Sequence, residues 1–384
     1  MMDARITVMW WTALACGIWC AKVVLLKQPA REPSTMTKSA IETAIHTIGL
    51  DIAKNSFSVH GFDAEGRTVL TRDLKRGQML VWFAGLPACL VGIEACASAH
   101  YWARELCKLG HDVKLIPAQR IKAFLPRMKN DAADAKAIAR AVREPEMRFV
   151  GVKTVEQQSL LMLFKARDLL MGQRTALINA LRGHFSEIGI VVAKGAHEVK
   201  PLAARVLNDE QLPLLMRTAL RPLAASLLAL EDEIKSLNMA ILKHHRASEL
   251  SQRLATVPGI GTLTATVLAA TVSDPKMFAG GREFAAWIGL VPRQHSTGGK
   301  ARLGKISKMG NRDLRRLLVV GAHAALYRIK SGKTRSPLAD WARNLLTRKP
   351  FKLVAVALAN KMARTAWAIM AGDDCYNPKH ASAH

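Results

Sequence analysis

The sequence predicts a mixed α/β domain followed by a long α-helical remainder. Strand and helix patterns alternate between residues 45 and 150. Two long helical patterns without strands fill residues 151–253, and further helical patterns occupy residues 254–372. Alternation of strands with helices is typical of a central sheet that is covered on both sides. Residues 1–44 form an N-terminal extension to this plan, and residues 373–384 form a tail.

The first strand is predicted at residues 47–53, where apolar residues alternate with small or polar ones. This period of two places Asp51 on the face opposite the aliphatic side chains. An acid within an apolar strand is costly unless a metal ion or a hydrogen-bond donor compensates it. The alternative is an aspartate near a strand end that caps a neighbouring loop.

The rest of the α/β domain follows from the same periodicity. Glu94 comes directly after a continuous apolar run of strand length. The predicted elements are strands at residues 56–60, 67–74, 88–93 and 112–116 and helices at residues 76–84, 99–109 and 118–125.

An alanine-rich segment with charged spacers, residues 129–140, predicts a helix that carries two acids. Asp131 and Asp134 are three residues apart and therefore share one helix face. Taken alone, the segment is better explained by a helix cap at Asn130 or Asp131 and a first-turn acid that the helix dipole favours.

The middle of the chain predicts two long helices, at residues 154–188 and 223–253, with apolar residues spaced by three and four. They suggest an α-helical hairpin or a coiled-coil-like arm, which serves as a spacer, an oligomerisation element or a support for nucleic acid. A Pro-Gly-x-Gly turn follows and resembles that of a helix-hairpin-helix motif. The backbone N–H groups of Gly259 and Gly261 are candidates for binding a phosphate there.

The charge balance favours a polyanionic partner. Lysine and arginine number 56 against 30 aspartate and glutamate residues, a formal net charge of +26. Nucleic acid is the first candidate partner and an anionic membrane surface the second. Residues 293–316 hold eight lysine or arginine residues, one acid and four glycines. This composition predicts a flexible basic loop that binds a phosphate backbone. The alternative is a solvated surface loop, which the density of charge makes the weaker interpretation. The candidate nucleic-acid-binding side chains are Arg293, Lys300, Arg302, Lys305, Lys308 and Arg312.

The N-terminal extension contains an apolar run at residues 6–26 that Lys22 interrupts. A signal sequence or a short membrane anchor is one interpretation. We favour the interpretation that translation truly starts at Met36 and that the reading frame has been extended upstream of it. We therefore expect a chain that begins at Met36 to retain activity. The six cysteines form no CxxC pair and no zinc-finger spacing, which predicts a cytoplasmic protein without disulfides. With nucleic acid as the first candidate partner, we expect it to be nucleoid-associated.

Four acids thus have defined contexts: Asp51, Glu94, Asp131 and Asp134. Acids presented in this way by an RNase H-like sheet and an adjoining helix can converge on two metal ions. Such a pair activates the attacking oxygen and stabilises the leaving oxygen in phosphoryl transfer. Carboxylate ligands suit Mg²⁺ or Mn²⁺.

Several motifs, in order along residues 45–330, resemble the bacterial insertion-sequence transposases of the DEDD class, also called bridge-RNA-guided serine recombinases. The resemblance lies in residues 48–54 (IGLDIAK), 92–96 (GIEAC), 129–135 (KNDAADA), 258–261 (PGIG), 289–300 (GLVPRQHSTGGK) and 306–311 (ISKMGN).

This resemblance implies a RuvC-like N-terminal domain and a helical C-terminal transposase domain. The family's metal-binding tetrad falls on the four acids, and the serine that attacks DNA falls on Ser296, with Thr297 as the neighbouring alternative. It also implies a homo-oligomer that acts on DNA, a structured guide RNA from the same element, and no small-molecule substrate.

Three functions of this protein are compatible with these features. The first is a DNA recombinase with a covalent serine. The second is a RuvC-like structure-specific endonuclease that uses the same four acids without the serine. The third is a non-enzymatic nucleic-acid-binding protein in which the acids are structural. The second function leaves Ser296 unexplained, and the third leaves four correctly ordered acids unexplained.

Overall fold

A computed structural model describes residues 45–125, 131–193, 195, 198–298, 300 and 302–378. The predicted extension at residues 1–44 and the cap considered at Asn130 therefore lie outside the described residues.

The N-terminal domain is built on a five-stranded sheet, which confirms the predicted mixed α/β class. The strand order is β3-β2-β1-β4-β5. Strand β2 is antiparallel to β1 and to β3, whereas β4 runs parallel to β1 and β5 runs parallel to β4. The strands are β1 (Thr47–Ile52), β2 (Ser56–Phe62), β3 (Thr68–Lys75), β4 (Leu90–Glu94) and β5 (Asp112–Ile116).

Helices cover both faces of this sheet. They are α1 (Met79–Ala84, after a 3-10 turn at Arg76–Gln78), α2 (Ala99–Lys108), α3 (Ala118–Ile121, continued by a 3-10 turn at Lys122–Phe124) and α4 (Asp131–Ala141). The aliphatic face of β1, β2 and β4 packs against α1 and α2, with Phe83 and Trp102 in the shared core. Helix α4 covers the opposite face.

Two glycines bring α4 directly onto the sheet. An ideal Cβ atom on Gly49 would lie 2.1 Å from the carbonyl oxygen of Ala135 and 2.4 Å from the backbone nitrogen of Ala139. A Cβ atom on Gly92 would lie 2.8 Å from the Cβ atom of Val142. Because real Cβ atoms do not approach backbone so closely, only glycine allows α4 to rest on β1.

The middle of the chain contains α5 (Val155–Ser186), α6 (Val199–Asn208) and α7 (Leu214–Ala247). Helices α5 and α7 pack as an antiparallel pair, since Arg174 pairs with Glu231 whereas Arg167, seven residues earlier, donates to Asn238 at 2.6 Å. The predicted start of the second long helix at residue 223 was wrong, because Pro222 lies inside α7. The predicted end was also wrong. Helix α7 ends at Ala247, and Ser248 caps the next helix by accepting a hydrogen bond from the N–H of Ser251.

The C-terminal region is a helical bundle with one small hairpin. Its helices are α8 (Glu249–Ala255), α9 (Thr262–Thr271), α10 (Gly281–Ile288), α11 (Arg312–Lys330), α12 (Pro337–Leu346) and α13 (Phe351–Ala371), with a 3-10 turn at Pro275–Met277. All six helices contribute buried apolar residues to one core. Within the described ranges, α13 is the one helix long and apolar enough to cross a membrane, and half of its most apolar stretch is buried in this core.

The glycine-rich basic segment is an antiparallel hairpin, not the flexible loop that its composition predicts. Its strands are β6 (Pro292–Gln294) and β7 (Leu303–Ile306). A Cβ atom on Gly310 would lie 1.7 Å from the carbonyl oxygen of Trp287. The segment between β7 and α11 therefore packs directly against the end of α10. The guanidinium of Arg315 donates to the carbonyls of Ile288 and Met309 at 2.7 and 2.9 Å and ties the two segments together.

The contact between α4 and β1 makes a prediction about stability. Gly49→Ala forces backbone atoms apart, and we expect it to destabilise the protein by about 2 kcal/mol or more, in the range of overpacked cores. Urea unfolding of the purified variant measures this difference.

Gly77→Ala is the matched control, because a Cβ atom there would meet no atom within 4 Å. Equal unfolding midpoints for the Gly49→Ala and Gly77→Ala variants would contradict the close contact of α4 with the sheet.

Candidate active site

Asp51 and Glu94 lie side by side on the face of the sheet that α4 covers. In the parallel ladder, Gly49 pairs with Gly92 and Leu50 pairs with Ile93. One residue beyond each of these apolar partners comes an acid, Asp51 on β1 and Glu94 at the end of β4. Since side chains alternate between faces, both acids share the face of the two glycines.

The glycine contacts also determine where the acids of α4 come to lie. Ala135 sits over Gly49, and Asp131 is one helical turn earlier. A helical turn advances about 5.4 Å, close to the ~6.6 Å that two strand residues advance from Gly49 to Asp51. The first turn of α4 therefore ends above the carboxyl ends of β1 and β4.

Three of the four predicted acids converge as this construction requires. The carboxylate oxygens of Asp51, Asp131 and Asp134 all lie within 4.8 Å of one another. Glu94 lies outside this tight group, but its charge acts on Asp51. A set of carboxylate oxygens at this spacing suits a hard divalent cation.

The electrostatics of the cluster favour a bound cation. Burial raises the pKa of Asp51, and the charges of Asp134, Glu94 and Asp131 raise it further, whereas the N–H of Ile52 lowers it. Crowded carboxylates disfavour one another's charged forms, and a divalent cation reverses that penalty. The residues present thus fit a metal ion, which would polarise a phosphate and an attacking oxygen.

A fifth acid, which sequence reasoning missed, extends the row of polar side chains across the sheet. Ser58 on β2 is the register partner of Asp51, and Asp73 on β3 is the register partner of Ser58. The Ser58 hydroxyl donates to Asp73 at 2.6 Å. Ser58 and Asp73 line a cavity of about 310 Å³ together with Asp131. The alternation of Thr71 and Asp73 along β3 was the available signal.

Ser296 lies in the connection between β6 and β7, far from the acids in sequence. Its exposed hydroxyl accepts a hydrogen bond from the side-chain amide of Gln294 at 2.8 Å. The N–H of His295 donates to the carbonyl of Arg302 at 2.8 Å. Thr297 and Lys300 form a single antiparallel β-bridge outside the two strands. Within the part of the chain that the structure describes, Ser296 forms no hydrogen bond with an acid of the cluster.

The hairpin and its surroundings present the predicted cations to solvent. The exposed side chains are those of Arg293, Lys300, Arg302, Lys305, Lys308 and Arg312. Such a surface suits electrostatic contact with a phosphate backbone.

The two glycines of the turn between α8 and α9 differ in their surroundings. Gly259 has φ +93°, and a Cβ atom there would lie 3.0 Å from the carbonyl oxygen of Gly321 and 2.9 Å from Met362. Glycine is therefore required at this position for packing as well as for conformation. Gly261 is exposed, with open space where its Cβ would stand. Phosphate binding by these two backbones stays a prediction.

Comparison with protein families gives two matches that together cover both halves of the chain. A profile described as "Transposase", of the DEDD IS110 type, matches residues 48–190. A second, described as "Transposase IS116/IS110/IS902 family", matches residues 251–338. The first range contains the acid cluster, and the second contains the hairpin with Ser296.

Individual relatives match over most of their length. A Pseudomonas aeruginosa protein named "Probable family 20 transposase" is 46% identical over 334 residues, 86% of this chain and 98% of the relative. The transposase for insertion sequence element IS1328 of Yersinia enterocolitica is 40% identical over 84% of this chain and 96% of its own. The transposase for element IS1111A of Coxiella burnetii is 39% identical over 86% and 91%.

The converging acids, the two matched halves and these full-length relatives lead to one assignment: the chain belongs to the IS110 family of insertion-sequence transposases, enzymes that cleave and rejoin DNA.

Proposed function

We propose that this transposase cleaves and rejoins DNA with Mg²⁺ or Mn²⁺ held by Asp51, Glu94, Asp131 and Asp134, and with Ser296 as a covalent nucleophile. The observation that carries the metal site is the convergence of three carboxylates within 4.8 Å. The family assignment supports a DNA substrate. The exposed basic hairpin around Ser296 supports the approach of a phosphate to this serine.

The chemistry of the serine step balances without a cofactor that carries energy. The Ser296 oxygen forms a bond to the phosphorus, its proton leaves to a base, and the bond to one bridging DNA oxygen breaks. The departing oxygen takes up a proton. One phosphoester bond is exchanged for another, so attack by a DNA hydroxyl on the phosphoserine rejoins the strand.

The residues around Ser296 suit this step. Gln294 positions the hydroxyl by donating to its oxygen at 2.8 Å. The bridge between Thr297 and Lys300 closes the turn beside it. The cations Lys300 and Arg302 follow in the same connection and would attract the scissile phosphate.

Ser296 lies on the C-terminal hairpin and the acids lie in the N-terminal domain, an arrangement that an oligomeric enzyme accommodates. A serine nucleophile and a metal site must meet at one phosphate, and the described residues of one chain do not join them through hydrogen bonds. We propose that a second copy on the same DNA supplies the hairpin. A structured guide RNA that selects the DNA sites would occupy further basic surface, in keeping with the +26 net charge.

The Asp51→Asn variant tests whether strand cleavage depends on the metal site while DNA binding does not. We expect the variant to lose strand cleavage with Mg²⁺ and to keep DNA affinity, since affinity comes from lysine and arginine. Burial and three neighbouring acids raise the pKa of Asp51 above its ordinary 3.8. The metal-free folded state therefore loses stability as pH rises from 3.8 through the raised value.

Removing that charge should raise the metal-free Tm of the variant at neutral pH and abolish the further rise that Mg²⁺ gives the wild type. Asp232→Asn is the control, because Asp232 is an exposed acid on α7. Wild-type cleavage by Asp51→Asn, or an unchanged Mg²⁺-dependent Tm, would contradict the metal assignment.

Ser296→Ala tests the covalent step. With labelled DNA on a denaturing gel, wild type should give a protein-linked band and Ser296→Ala none, while Tm stays within a few degrees because the side chain is exposed. Thr297→Ala is the neighbouring control and should keep the band.

A band that persists in Ser296→Ala and disappears in Thr297→Ala would move the nucleophile by one residue. Cleavage by wild type without any linked band would instead favour the hydrolytic, RuvC-like endonuclease.

Salt dependence tests the basic hairpin. Each phosphate contact on duplex DNA contributes about −0.9 to the slope of log affinity against log salt. Replacing Lys300, Arg302 and Lys305 with alanine should flatten the slope by up to ~2.7. Replacing Arg348, Lys349 and Lys352, which are also exposed, serves as the control. Equal slopes for both triple variants would place the DNA contact elsewhere.

A further inference from the structure

The C-terminal bundle contains a cavity of about 1110 Å³ whose lining includes neither the acid cluster nor the β6–β7 hairpin. It lies between the start of α10 and one side of α13, and residues 374–378 form part of its wall. Its volume is at the upper end of small-molecule pockets, which run to roughly 1000 Å³. The lining residues that matter here are Gly281, Arg282, Lys361, Arg364, Trp367 and Tyr376.

Positive charge exceeds negative charge in this cavity, whose lining holds three cations and two acids, Glu283 and Asp374. Among the described residues, Arg282 and Arg364 form neither an ion pair nor a side-chain hydrogen bond. The neighbouring Glu283 is already engaged, by Arg148 and by the N–H of Ala279 at 2.7 Å. Burial, and then the charge of Arg364, lower the pKa of Lys361. The cavity therefore favours an anion.

The backbone adds to this preference. Helix α10 begins at Gly281, and Gly280 before it provides no side-chain cap for the first N–H groups. A Cβ atom on Gly281 would lie 3.0 Å from the Cα atom of Arg364, so the start of α10 rests directly on α13 beside the arginine. Helix N-termini bind phosphate through such N–H groups. Arginine side chains and the first N–H groups of α10 thus meet at one end of the cavity, where the N–H groups of Glu283 and Phe284 already donate to the carbonyl of Gly280.

Aromatic residues line the same cavity. The indole N–H of Trp367 donates to the carbonyl of Pro275 at 3.0 Å, which fixes the ring in the wall. Tyr376 is held by its own N–H, which donates to the hydroxyl of Thr256 at 3.0 Å. The Tyr376 hydroxyl is buried and has no hydrogen-bond partner in the described structure. Fixed aromatic rings beside cations are the usual surroundings of an unstacked base.

We propose that this cavity binds one unpaired nucleotide of a nucleic-acid strand, with its phosphate at the start of α10 and its base against Trp367 or Tyr376. Arg282 and Arg364 would pair with the phosphate. A nucleotide stacked inside a duplex cannot enter, so the cavity selects single-stranded or flipped-out positions. The proposal rests on the family's action on DNA and does not depend on the metal ions or on Ser296.

Binding in EDTA tests the proposal without strand cleavage. Fluorescence anisotropy compares labelled single-stranded DNA, single-stranded RNA and duplex DNA. The double variant Arg282→Gln, Arg364→Gln should lose about tenfold affinity for at least one single strand, as expected for lost charged hydrogen bonds. The matched double variant Arg335→Gln, Arg348→Gln removes two exposed arginines that do not line the cavity and should lose less.

The strand that responds identifies the ligand as DNA or RNA, and a response from both indicates a general single-strand site. Equal losses in the two double variants, or a loss confined to duplex DNA, would overturn the proposal.

Photocross-linking of wild type with iodouracil-substituted single strands keeps the test valid if a variant misfolds. Adducts on Trp367 or Tyr376 support the site, and adducts confined to residues 292–306 contradict it. Failure of the serine or metal proposal would leave these binding results unchanged, because anisotropy measures affinity and requires neither strand cleavage nor a metal ion.

Discussion

The acid cluster depends on one close contact, the backbone of α4 lying against Gly49 of β1. Without side chains at Gly49 and Gly92, the helix approaches the sheet to a distance that a Cβ atom would prevent. This contact determines the height of the first turn of α4 above the strands. The carboxylates of Asp131 and Asp134 consequently come within 4.8 Å of Asp51. The convergence of these carboxylates, on which the proposed metal site rests, is therefore a consequence of backbone packing.

The same packing creates an electrostatic cost that function can use. Asp51 is half-buried, and three neighbouring acids raise its pKa. A cluster of this kind weakens the folded state when no cation is present and gains stability when one binds. Apolar packing of β1 against α1 and α2 on the other face of the sheet compensates the cost. The N-terminal domain thus keeps its acids in place before a cation or a substrate arrives.

The sequence predicted the strands and the class of fold, and it singled out the three acids that converge, because period-two alternation and alanine-rich helices are local signals. It did not predict the hairpin at residues 292–306, whose strands are three and four residues long and are ordered by nonlocal contacts, such as that of Gly310 with Trp287. The start of α7 was missed because Pro222 suggests a boundary that packing overrides. The position of Asp73 in line with Ser58 and Asp51 depends on register between strands, which a single sequence does not reveal.

The most direct test of the account is anomalous diffraction from crystals of the wild-type protein grown with Mn²⁺. The packing of α4 on β1 predicts an anomalous peak among the carboxylates of Asp51, Asp131 and Asp134, with metal–oxygen distances of roughly 2.0–2.3 Å. Glu94 should be in or beside the coordination sphere. Well-ordered crystals with no peak at these carboxylates, or with Mn²⁺ bound only at other acids, would contradict it.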